Sequence, residues 1–107
     1  MNNNRATVWV TSADSRKDLS DAERYGDLKD VFSTTPRSIS PDKLIAHARE
    51  VLDRWRDGDS LLAIGDPMIT AICVTVLSEY TDNIPLLRWD RNSFRYSPTV
   101  LNFNHTV

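Results

Sequence analysis

The chain is poor in the features that announce chemistry. It has a single cysteine, Cys73, in 107 residues, which excludes an internal disulfide, and two histidines, so no Cys/His group has zinc spacing. With three glycines, no turn reads GxGxxG or GxxxxGK[ST]. Long hydrophobic runs are missing too. The longest, Met68 to Leu77, is interrupted by Thr70 and Thr75 and is too short to span a bilayer. The first residues, MNNNRAT, lack the apolar segment of a secretory leader. No sign of charge dominates: 13 Lys and Arg against 15 Asp and Glu leave a net charge of −2, giving no general attraction to nucleic acid or anionic membrane. These absences predict a cytoplasmic protein without membrane association, metal or cofactor, and argue against nucleic acid as a partner. Cys73 lies inside an apolar run, where a buried structural thiol is expected, not a nucleophile.

What is present is the patterning of one α/β domain over residues 1–107, with the first five residues frayed. Ala6 to Thr11 is β-branched and aromatic, with Val8 and Val10 on one face and Trp9 on the other, and predicts a strand. Ser20 and Glu23 have capping-box spacing and Gly26 is a stop signal, predicting a short helix from Asp21 to Tyr25. Leu28 to Phe32 is a weaker strand. Ser40–Pro41 is an N-cap and N1 pair, and Leu44, Ile45, Ala48, Leu52 and Trp55 then recur at helical spacing through Arg56. Leu61 to Ile64 stops at Gly65. Asp66 is a good N-cap and Pro67 suits N1 of the helix that follows. That helix is apolar on nearly every side, which predicts burial on more than one side and, in so small a domain, a homo-oligomer, with a two-fold dimer favoured. Ile84 to Asp90, a turn at Arg91–Asn92–Ser93, and Phe94 to Phe103 form a closing hairpin. Strands alternating with helices predict a small Rossmann-like three-layer fold, mostly parallel, with this antiparallel hairpin at one edge.

In such sheets ligands sit outside the carboxyl ends of the parallel strands. Those ends are Thr11–Ser12 and Gly65–Asp66, making Ser12, Gly65 and Asp66 the candidate ligand-binding residues. Asp66 and Pro67 oppose an anion there, one by its charge and the other by its missing N–H, so a ribose hydroxyl or an amine fits better than a phosphate. Asp14, Asp18, Asp21 and Asp66 are carboxylates near the same sheet end, but their spacing follows no metal loop. His47 and His105 have no serine or cysteine partner at a telling distance, and no catalytic residue is assigned. The densest aromatic and basic cluster is the hairpin. Trp89, Arg91, Phe94 and Tyr96 form a candidate interaction surface, or else ordinary cross-strand pairs in which Trp89 packs on Tyr96 or Phe94.

Three segments, YGDLKDVF (Tyr25 to Phe32), LLAIGDP (Leu61 to Pro67) and LLRWDRNSFRYSP (Leu86 to Pro98), together resemble a family of small tailed-bacteriophage proteins of unknown activity. Those proteins carry an IGDP turn and a C-terminal LLKWDR…RYxP hairpin in the same order, with Arg88 standing here where lysine is frequent. The resemblance implies an accessory phage product in the host cytoplasm and carries over no catalytic residue. Two functions are expected from these features. One is a non-catalytic, homo-oligomeric protein that binds an unidentified host or phage protein in host takeover or anti-defence. The alternative is a protein that binds or sequesters a nucleotide-like small molecule near Ser12, Gly65 and Asp66. An enzyme using carboxylates at that sheet end is a weaker third.

Overall fold

A computed structural model describes residues 5–13, 18–33 and 40–103. Asp14 and His105 lie outside the described residues. The elements run β1 (Thr7–Ser12), a 3-10 helix (Ser20–Tyr25), β2 (Asp27–Phe32), α1 (Pro41–Leu52), β3 (Ser60–Leu62), α2 (Pro67–Ser78), β4 (Asn83–Asp90) and β5 (Arg95–Asn102). They build one five-stranded sheet in the order β2-β1-β3-β4-β5. The first four strands are parallel and β5 returns antiparallel to β4, pairing Trp89 with Tyr96. The expected three-layer α/β fold with a C-terminal hairpin is the observed one.

The layers are unequal. Crossovers that leave the sheet in opposite directions put their helices on opposite faces. The β2-to-β3 and β3-to-β4 connections therefore place α1 and α2 side by side on one face. There they bury Leu44, Ala48, Leu52, Ile69, Cys73 and Leu77 against Trp9, Leu61 and Ile84. The other face carries only the 3-10 helix, whose Ala22 packs on Val8, Val10, Leu62, Leu87 and Tyr96. Trp9 and the two valines thus point as their alternation requires.

Three local expectations are corrected. Ser20 does not cap the short helix. It is the first residue within it, and the Asp18 carboxylate instead accepts from the Ser20 N–H at 2.9 Å. α1 ends at Leu52, not Arg56, because the buried Asp59 carboxylate pulls the chain toward the sheet. Asp59 accepts from the backbone N–H of Thr7 and Arg56 and from Trp9 Nε1, at 2.9 to 3.0 Å. β3 is three residues long, since beyond Leu62 the strand is held by a side chain: Thr11 Oγ1 donates to the Ile64 carbonyl at 2.7 Å and accepts from the Ile64 N–H at 2.9 Å. His47 is tied down as well as exposed, donating Nε2–H to the Val31 carbonyl at 2.7 Å beside the Phe32 ring. Among the described residues no helix is long and apolar enough to cross a membrane.

Candidate functional site

The order of the strands reverses direction between β1 and β3, and this is where a crevice opens at the carboxyl edge of a doubly wound sheet. Ser12 ends β1 and Gly65 follows β3. A Cβ built on Gly65 would stand 3.5 Å from the Ser12 Cβ, so the topology brings these two residues together. Gly65 turns with φ +86, a conformation that glycine adopts without strain. Asp66 behaves as the N-cap of α2, accepting from the Met68 N–H at 2.9 Å, with Pro67 at N1. One of its oxygens therefore has a structural task.

From Gly65 the surface passes into a cavity of about 690 Å³, lined by Ile64, Gly65, Leu87, Arg88, Trp89, Arg91, Tyr96 and Asp18 among others. The hairpin forms one wall and the end of β3 the other. Of the residues picked from the sequence, Gly65, Trp89, Arg91 and Tyr96 line this cavity, while Ser12, Asp66 and the 75% exposed Phe94 do not. Trp89 is half exposed and packs edge-on against Tyr96, with ring centroids 5.0 Å apart, which selects Tyr96 over Phe94 as its partner.

Tyr96 is the pivot of the site. Its N–H donates to Asp21 Oδ2 at 2.6 Å, and its carbonyl accepts from the Arg24 guanidinium and, at 3.0 Å, from Tyr25 Oη. These groups come from the short 3-10 helix, so the edge of β5 is bound to the layer that covers β1. Burial, with the Asp18 and Asp21 charges nearby, holds the phenol of the 6% exposed Tyr96 above its usual pKa, so at neutral pH it is a neutral donor at the cavity wall.

At the hairpin tip the Asp90 carboxylate accepts from the Asn92 N–H and from Ser93 Oγ, both at 2.9 Å, and these bonds hold its pKa below the ordinary value. The turn closes with Phe94 N–H donating to the Asp90 carbonyl at 2.8 Å. Phe94 is the one described residue other than glycine with positive φ, at +55. The sequence did not reveal that strain, and its signal is indirect: the turn needs one more residue than Arg91–Asn92–Ser93 supplies.

Among the described residues no group of three or more His, Cys, Asp or Glu side chains could hold a metal ion. Of the four carboxylates near this edge, Asp18, Asp21 and Asp66 each accept from a backbone N–H. Cys73 is fully buried, and burial pushes its thiol up to about 12.

No curated protein and no solved structure matches the chain. A family model does, over residues 3–103, under the description phage Pam3 gp32-like protein. That span takes in all three segments that resembled a phage family, and this chain belongs to the phage Pam3 gp32-like proteins.

Proposed function

We propose that this phage protein works by binding, without catalysis and as a homo-oligomer, and that the β4–β5 hairpin engages a host or phage protein. Phe94 carries the reading. Stability alone would place glycine or asparagine at φ +55, yet the position holds a large aromatic side chain that is 75% exposed. Strain and exposure together are what a contact residue requires and a core residue does not. Phe94, the half-exposed Trp89 and Arg91 are the side-chain types that dominate protein interfaces. The adjoining cavity gives a partner's side chain a place to insert. Takeover of the host or evasion of its defences is the setting in which such a product acts.

Affinity capture from infected host cells tests this with the wild type, Phe94→Gly and Arg91→Glu. A protein captured by the wild type is expected to be lost from both variants while their circular dichroism stays unchanged. Equal capture by all three removes the hairpin from the reading.

The cavity supports a second reading, a nucleotide-like small molecule. Its volume of about 690 Å³ lies within the range of ligand pockets, and it adjoins the edge where open α/β sheets bind. Arg88 and Arg91 offer charge for an anion, and Trp89 offers a ring face for stacking. Native mass spectrometry of protein purified from its producing cells separates the two. A mass excess of nucleotide size, released on denaturation, favours the small molecule, and bare chain masses favour the protein partner.

A further inference from the structure

On the helical face, α2 presents an apolar side that none of the described residues covers. Its twelve residues, PMITAICVTVLS, include no charge, although a helix with one wet side ordinarily carries its charges there. Ile69, Cys73, Val76 and Leu77 are buried, while Met68 is 47% exposed and Ala71 and Thr75 are exposed. The expectation that this helix is buried on more than one side is therefore unmet among the described residues of one chain. Between α1 and α2 runs an apolar groove of about 210 Å³, to which Ile45, Met68 and Ile72 contribute. Arg49 and Glu79 stand at it as a two-bond ion pair, at 3.1 and 2.8 Å, with both side chains about half exposed.

We propose that this groove is the two-fold interface between two copies of the chain. The proposal rests on the homo-oligomeric reading of the function and gives it a location. Charge identifies the occupant. The groove carries one cation and one anion and is otherwise neutral, so a partner of a single charge sign would set one of the two against its own kind. A second copy, turned about a two-fold axis, offers Arg49 to the partner subunit's Glu79 and Glu79 to the partner subunit's Arg49, because an isologous interface repeats every contact in both directions. The uncharged sides of the α2 helices then bury each other. Ala71 and Thr75 are small enough for the two helices to approach closely. The hairpin tip contributes no residue to the groove and stays free.

Sedimentation velocity across the micromolar range tests the proposal. The wild type is expected at twice the 12.2 kDa chain mass. Ala71→Glu and, as a second variant at an exposed position, Thr75→Lys are expected to sediment as monomers with unchanged circular dichroism. Arg49→Glu alone and Glu79→Arg alone are each expected to dissociate, because like charges then meet across the axis. Mixing those two variants is expected to restore the dimer, with opposite charges paired between chains although each chain holds a like-charge pair of its own. A wild type that is monomeric at every concentration overturns both the interface and the oligomeric reading. A dimer that survives Ala71→Glu and Thr75→Lys, or a mixture that stays monomeric, overturns this interface and leaves the oligomeric reading standing.

Discussion

At Gly26 the chain passes so close to the first strand that a Cβ would lie 2.3 Å from the Ala6 carbonyl oxygen. The residue also holds φ +152, where L side chains are strained, and its N–H closes the short helix on Glu23. Gly26→Ala must therefore move β1 away from the start of β2 or break the turn. The expected loss is about 3 kcal/mol, combining backbone strain with overpacking, read as a lower midpoint in urea. Phe94 is the opposite case. Its positive φ is unfavourable by about 1–2 kcal/mol for a residue with a side chain, and its exposed ring contributes little burial. Phe94→Gly relieves the strain and adds roughly 0.5–1 kcal/mol of unfolded-chain entropy to be lost on folding. Thermal unfolding of this variant is expected to match or slightly exceed the wild type, a result opposite to that of truncating a core phenylalanine.

Among the elements, the hairpin turn and the end of β3 are each held by one side chain. Asp90 bonds the Asn92 N–H and Ser93 Oγ most strongly while ionised, and its folded pKa is lowered by those bonds. A lowered carboxylate pKa contributes stability above the unfolded value near 3.8 and loses it as pH falls through the folded value. Amide exchange at Asn92 and Ser93 is thus expected to gain protection loss below pH 3.8 before the sheet opens, with Asp90→Ala already showing it at neutral pH. Thr11 does for β3 what Asp90 does for the turn. Thr11→Val leaves the Ile64 N–H and carbonyl unpaired in a partly buried site, with an expected loss of about 2 kcal/mol in urea unfolding. Thr11→Ser, which keeps the hydroxyl, is expected to lose less. Elements governed by local signals were legible in the sequence: Ser40–Pro41 and Asp66–Pro67 start helices where they should, and β-branched alternation in β1 points the right residues inward. What was not legible depends on distant partners. Asp59 ends α1 by reaching back to β1 across 50 residues or more, and Asp21 takes the Tyr96 N–H from 75 residues away. The site was legible in its parts, because Gly65 and the aromatic hairpin each stand out, but not in their meeting, which the strand order decides.

Seen as a whole, the molecule divides its faces between the two helices and the thin layer made by the 3-10 helix, and Cys73 lies under the thicker one. It is fully buried in the cluster that joins α1, α2 and the central strands, so no local loosening of the hairpin or of the β1–β2 connection should reach it. Its reactivity therefore reports the entire helical layer. Burial raises the thiol from 9.0 to about 12. A folded pKa above the unfolded one contributes stability that is complete below pH 9 and disappears as pH rises toward 12. Two measurements follow from one cause. Urea midpoints should hold steady to pH 9 and fall beyond it, and the fall should be smaller in Cys73→Ala once its own cavity loss is subtracted, with what remains above pH 10 belonging to the Tyr96 phenol, whose pKa is also raised. At neutral pH, modification by a thiol reagent should proceed at the rate of global unfolding, because a buried thiol is neither ionised nor accessible. Labelling far faster than unfolding, in a protein whose circular dichroism is intact, would mean that α2 lifts from the sheet on its own. In a dimer closed across α2 the labelling should slow further as protein concentration rises, whereas in the Ala71→Glu variant it should not depend on concentration.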